Sequence, residues 1–204
     1  MFFPGSTVYH PAVEREILFT GIGGQGIQLA ARTLAEAAIA DGRRVQLFAS
    51  YGGMMRGGNS DSFLVVADQE ISLPPVVGSA WAAVVMHHEH AGSVWPKLRP
   101  GSIVVVNDSV VDVRSRPSDP TVDVIGVDAL DIARDAGSSV AASLVLIGAL
   151  VARTGLVTSH SLLESAARVL PAYRAEAGAV NREALRAGLA LGPLSHPAWE
   201  LARA

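Results

Sequence analysis

The first residues with a chemistry of their own are Gly21-Ile22-Gly23-Gly24-Gln25-Gly26, four glycines in six positions. Glycines at this spacing let a chain reverse tightly between a strand and a helix, and they let a ligand approach the bare N–H groups at the helix start. The helix dipole adds partial positive charge there, so the group held by such a turn is an anion. Packing is the equal alternative, because the same glycines let a helix lie close on a sheet. Two details narrow the ligand. A dinucleotide site of the usual kind has a carboxylate at the end of its second strand for the ribose hydroxyls, and Gln46-Leu47-Phe48-Ala49-Ser50 has none. A nucleoside-triphosphate loop ends in Gly-Lys-Ser/Thr, whereas this turn continues Gly26-Ile27-Gln28.

A second glycine-rich stretch follows, Tyr51-Gly52-Gly53-Met54-Met55-Arg56-Gly57-Gly58-Asn59. Four glycines around one guanidinium give a backbone that a ligand or neighbour can approach closely. Arg56 is suited to gripping a phosphate or carboxylate, or to clamping another chain; otherwise it is a loop arginine paired to a local acid. Two such loops at one sheet edge favour the binding role. The candidate site is therefore Gly21, Gly23, Gly24, Gln25, Gly26, Tyr51, Arg56, Gly57 and Gly58. His87-His88-Glu89-His90 follows a buried apolar run, at the edge where α/β sheets bind ligands. With no acidic or cysteine set beyond Glu89, these histidines read as polar residues at a helix start rather than metal ligands. Trp81, Trp95 and Trp199 read as core or interface anchors, and Asn107-Asp108-Ser109 as a polar strand tip that caps a loop. Spacing alone locates no Ser–His–Asp or paired-carboxylate arrangement, so no catalytic residue is assigned.

The elements that must position these residues follow from apolar periodicity. Strands are expected at 16–20, 44–49, 60–67 (turning at Asp68-Gln69 into 70–73, before Pro74-Pro75), 82–86, 103–107 and 122–126. A helix at 25–41 presents Ile27, Ala30, Ala31, Leu34, Ala38 and Ile39 at helical spacing and closes at Asp41-Gly42. A short helix is expected at 89–98 and a proline-bearing loop at 112–120. The chain then turns helical at 129–135, 140–153, 161–170 and 180–191. Ser161 and Glu164 have capping-box spacing, and Gly155 and Gly192 suit helix ends. The fold class is α/β: a three-layer, Rossmann-like domain with a mostly parallel sheet and a helical C-terminal portion. Residues 1–12 form an extension, 13–194 the domain and 195–204 a tail.

Composition sets outer limits. Half of the 204 residues are hydrophobic, 17% are charged and only 5% are aromatic, so Ala, Val, Leu and Gly must pack helices onto a sheet. A net charge of −3 without a basic block argues against a nucleic-acid partner. The longest apolar runs are too short to cross a bilayer, and Met1 to Pro11 lacks a signal-peptide pattern; a cytoplasmic location is the expectation. With no cysteine, the chain has no thiolate for a disulfide, a zinc site or an iron–sulfur cluster.

Gly23-Gly24-Gln25-Gly26 together with Tyr51-Gly52 and Arg56-Gly57-Gly58 resembles the signature of the gamma subunit, or gamma domain, of 2-oxoacid:ferredoxin oxidoreductases. That family acts on pyruvate, 2-oxoglutarate, branched-chain oxoacids, indolepyruvate and phenylglyoxylate. The resemblance runs on through Ile71, Pro74-Pro75, Leu98-Arg99-Pro100-Gly101 before the 104–107 strand, and Leu146-Ile147-Gly148-Ala149-Leu150, to Asn181, Ala184 and Gly188. Departures are Ser79-Ala80-Trp81, where the family often has an Asp, and Ala142-Ser143, where it often has an Asn; they bear on substrate class and acceptor. The resemblance implies a non-catalytic component of an enzyme that decarboxylates a 2-oxoacid and passes the acyl group to coenzyme A. Thiamine diphosphate and iron–sulfur clusters are then expected in alpha, beta and delta partners. Coenzyme A is the one cofactor it leaves open to this chain, with phosphates against the Gly23 to Gly26 amides and Arg56. In isolation a homo-oligomer is expected. A stand-alone nucleotide-dependent oxidoreductase and a purely structural scaffold are the competing functions.

Overall fold

The computed structural model describes residues 13–51, 58–71, 78–170 and 176–199. Six strands form one sheet in the order β2-β3-β1-β4-β5-β6. β1 (Glu14–Ile22) pairs in parallel with β4 (Ala80–Val85), which continues in parallel to β5 (Leu98–Asn107) and β6 (Asp123–Val127). On its other side β1 pairs antiparallel with β3 (Asn59–Ala67), and β3 pairs antiparallel with the outer strand β2 (Arg44–Tyr51). Five strands thus run one way and β3 runs against them. β2 does not lie beside β1: β3 is inserted between them.

Alternation along the buried strands divides the core. Ile17, Phe19, Leu64, Val66, Ile103 and Val105 face one side, and Leu18, Val65, Val104 and Val106 face the other. The first side carries α1 (Ile27–Ala40), α3 (Ala129–Asp135), α4 (Ala142–Thr154), α5 (Ser159–Arg168) and α6 (Ala177–Leu189). α4 is apolar nearly all round and buried along almost its whole length, as such a helix must be. It meets α6 backbone to backbone: a Cβ at Gly148 would lie 2.6 Å from the Leu185 carbonyl, and one at Gly188 would run into the Val145 carbonyl. The second side is covered thinly, by α2 (His88–Ala91), a 3-10 turn at Trp95–Lys97 and the chain between β5 and β6. The three layers are real but unequal. Among the described residues no helix is long and apolar enough to cross a membrane.

Three local expectations fail. The 89–98 helix is only one turn, because Pro96 sits in a 3-10 turn and Leu98 already pairs with Ala80 as sheet. Glu70 and Ile71 are not strand; Leu73 and Pro74-Pro75 lie outside the described residues. Ser161 does not open its helix. Thr158 does, with its hydroxyl accepting from the Ser161 N–H at 3.1 Å, while Glu164 pairs with Arg182 across α6. Gly155 does close α4, in the left-handed conformation at φ 58°.

Candidate functional site

The chain leaves β1 over the thick face through α1, and leaves β4 over the thin face through α2. The crevice between the C-terminal ends of β1 and β4 is therefore the switch point of the sheet, where ligands of open α/β folds bind. The glycine turn sits there. Gln25 builds it: its N–H donates to the Ile22 carbonyl at 3.2 Å, and its side-chain oxygen accepts from the Ile22 N–H at 3.0 Å. Gly24 has φ +98° and Gly26 +77°, both in the region that side-chain-bearing residues avoid.

The glycines differ in what surrounds them. A Cβ at Gly24 would meet nothing within 4 Å, and Gly23 and Gly24 are exposed. Gly21 is buried against Gln25, Ile27 and Met86, and a Cβ at Gly26 would lie 2.7 Å from the Ser143 hydroxyl of α4. Gly26 caps α1 without a side-chain hydrogen bond. The glycines thus divide by surroundings: Gly21 and Gly26 are closely packed, and Gly23 and Gly24 leave their backbone exposed.

The second glycine loop joins the same edge. Tyr51 ends β2 opposite Ser60, and Ser60 is also opposite Gly21. The Gly23 N–H donates to the Gly58 carbonyl at 2.8 Å, tying the two loops together. Gly52, Gly53, Arg56 and Gly57 lie outside the described residues.

Beside the turn is a polar network that periodicity does not announce. The Asp61 carboxylate accepts from the Thr20 hydroxyl at 2.7 Å and from the Asn59 amide at 2.8 Å. Gln28, in the first turn of α1, donates to the Asp61 carbonyl at 2.9 Å and accepts from the Ser62 hydroxyl at 2.8 Å. The run Asn59-Ser60-Asp61-Ser62 was its only trace in the sequence, where it reads as the polar start of a strand. The network also occupies the place of a ribose-binding acid. On the side of β1 away from β4 the adjacent strand is β3, so the residue next to the end of β1 is Asp61, already bonded to Thr20 and Asn59, and not the end of β2.

At the end of β4, His87 caps α2: its Nδ1 accepts from the Glu89 N–H at 3.3 Å. Its ring stacks on His88, centroids 4.4 Å apart, and His88 Nδ1 lies 3.1 Å from the Val110 carbonyl. Burial, then the neighbouring His88, lowers the His87 pKa, which keeps Nδ1 free to accept. Among the described residues no three His, Cys, Asp or Glu side chains are grouped to hold a metal. Asn107 is fully buried and its amide donates to the Met86 carbonyl at 3.3 Å, while Asp108 pairs with Arg116. Trp81 is buried in the core, Trp95 donates to the Ser115 carbonyl, and Trp199 lies beneath Arg43.

Comparison with known proteins identifies the family of the chain. The model of the family described as pyruvate ferredoxin/flavodoxin oxidoreductase matches residues 16–191. The chain is 33% identical over 162 residues to the 2-oxoglutarate synthase subunit KorC of Methanothermobacter thermautotrophicus, covering 75% of this chain and 83% of that one. It is 29% identical over 139 residues to the ketoisovalerate oxidoreductase subunit VorA of Methanothermobacter marburgensis, covering 68% of this chain but only 28% of that longer protein. Among solved structures, the gamma subunit of a keto/oxoacid ferredoxin oxidoreductase from Geobacter sulfurreducens PCA superposes with a TM-score of 0.69 at 29% identity, over 85% of this chain and 95% of that one.

Proposed function

Since the chain belongs to the pyruvate ferredoxin/flavodoxin oxidoreductase family, we propose that it is the gamma component of a multisubunit 2-oxoacid:acceptor oxidoreductase. It is an accessory subunit: the enzyme's catalytic centre lies in other chains. The reaction of the assembled enzyme converts a 2-oxoacid and coenzyme A to an acyl-coenzyme A and carbon dioxide, and two electrons pass to the acceptor. Thiamine diphosphate and iron–sulfur clusters belong to alpha, beta and delta-type partners. A chain with no cysteine fits that division.

This chain's part at the active-site cover is to hold phosphate groups of coenzyme A. The observation that supports the site is the Gly23–Gly58 hydrogen bond at the switch point, which joins two glycine-rich loops beside the unobstructed Gly24. The turn has the conformation and the open approach that an anion at the start of α1 needs. Gly23, Gly24, Gln25 and Gly26 would present backbone, Tyr51, Gly57 and Gly58 would frame the second loop, and Arg56 would supply the guanidinium.

The test uses the assembled enzyme. Arg56→Ala removes a charge-assisted contact of about 1.5–3 kcal/mol, so the KM for coenzyme A should rise roughly 10-fold to 100-fold with thiamine content unchanged. Unaltered coenzyme A dependence in an intact Arg56→Ala complex would remove the binding role and leave that of a scaffold. The chain purified alone should be a homodimer by light scattering, colourless and inactive toward oxoacids; turnover by the pure chain would refute the accessory role itself.

A further inference from the structure

At the end of the sheet where β2 begins, far along the strands from the glycine turns, the link between α1 and β2 borders a depression of about 570 Å³. Its floor is apolar, with Val151 and Leu156 buried beneath it, and Leu194 on its wall is 48% exposed. Two charged side chains line it, Asp41 and Arg43.

Asp41 is committed to the fold. Its carboxylate accepts from the Thr158 N–H at 2.6 Å, the Thr158 hydroxyl at 3.0 Å and the Ser161 hydroxyl at 2.5 Å. It thereby closes the N-terminus of α5, where the helix dipole offsets its charge. Among the described residues Arg43 has no such partner. Its guanidinium lies 4.0 Å over the Trp199 ring and forms no ion pair with any described residue. Trp199 is fixed in turn, its indole N–H donating to the Leu156 carbonyl at 3.0 Å and the preceding Ala198 N–H to the Thr154 carbonyl at 2.7 Å. Stacking occupies a face of the guanidinium and leaves its in-plane donors without an acid. Among the described residues, the depression thus offers one cation without an acidic partner, held on a rigid platform beside the exposed Leu194.

That combination matches the buried anchors of protein interfaces, in which Trp and Arg dominate. Small-molecule pockets enclose most of their ligand; here Gly155, Thr158, Ser159 and Leu194 in the walls are exposed. We propose that this depression seats a segment of a partner subunit that carries an Asp or Glu beside an aliphatic side chain. The carboxylate pairs with Arg43, and the aliphatic group covers the exposed Leu194. The inference rests on the subunit role argued above and gives the chain a docking point at the end of the sheet opposite its ligand-binding turns.

The experiment co-expresses the full chain with the thiamine-binding and cluster-bearing subunits and measures assembly by gel filtration and by titration of a labelled chain. Arg43→Glu should weaken assembly at least 10-fold and Leu194→Asp should weaken it too, while each isolated variant keeps the unfolding midpoint of the parent within a few degrees. Full-strength assembly of both variants would overturn the docking site. So would Arg43-dependent thermal stabilisation by citrate combined with normal assembly, which would mark a small-anion site. Failure of the unaltered chain to assemble would sink the subunit role itself, a result distinct from a defect confined to the variants.

Discussion

The two ends of the sheet solve the problem of displaying polar groups in opposite ways. At the end that carries the glycine turns, backbone is displayed and side chains hold it: Gln25, Gln28, Asn59 and Thr20 all direct hydrogen bonds inward, to main chain or to Asp61. At the other end the main chain is tied down by Asp41 and the 195–198 segment, and side chains are displayed, Arg43 on Trp199. A site made of backbone cannot be separated from folding, because its geometry is the fold. A site made of side chains on a finished platform can be. Substitutions at the two ends should therefore divide between stability and association.

The largest effect is expected at Gly26. Gly26→Val must adopt a left-handed conformation and push into Ser143, so urea denaturation should show a loss of about 2–5 kcal/mol. Gly24→Ala has the same backbone difficulty with open space around it and should lose about 1–2 kcal/mol. Equal losses at the two would mean that the approach of α4 to the turn does not constrain it. Next comes Asp61→Ala, which strands the Thr20 hydroxyl and the Asn59 amide. It should cost about 1–3 kcal/mol, and Asp61→Asn, which keeps an acceptor, should recover part of that in the same assay.

At the opposite end, Arg43→Ala removes a cation–π contact worth about 0.5–1 kcal/mol where it is exposed. A loss well above 1 kcal/mol would erase the contrast between the ends. The smallest effect is the pH response of His87. Its pKa in the folded chain is lowered by burial and by His88, so the unfolded chain takes up the proton first. Stability is unaffected above the ordinary imidazole value of about 6.5 and declines as pH falls through it. An NMR titration should place His87 below that value, and His87→Asn, which retains a capping oxygen, should flatten the decline.

What the sequence determined by itself is local. The glycine turn, the extent of α1, the closure of α4 at Gly155 and the positions of the buried strands were all legible, because each depends on the preferences of a few adjacent residues. Family membership was legible too, because its motif residues are spread along most of the chain. Tertiary structure alone decided the rest. β3 lies between β1 and β2, which no periodicity encodes, and that insertion brings Asp61 to Thr20 across 41 residues. Asp41 reaches α5 across 117 residues, so the helix opens at Thr158 instead of Ser161. Gly148 and Gly188 look like ordinary interruptions of two helices until α4 and α6 touch. Arg43 and Trp199 join in the same way, two residues with no pattern between them until folding stacks one on the other. A short-range preference acts on neighbours along the chain, whereas a contact between distant residues exists only after the core has fixed both of them in space.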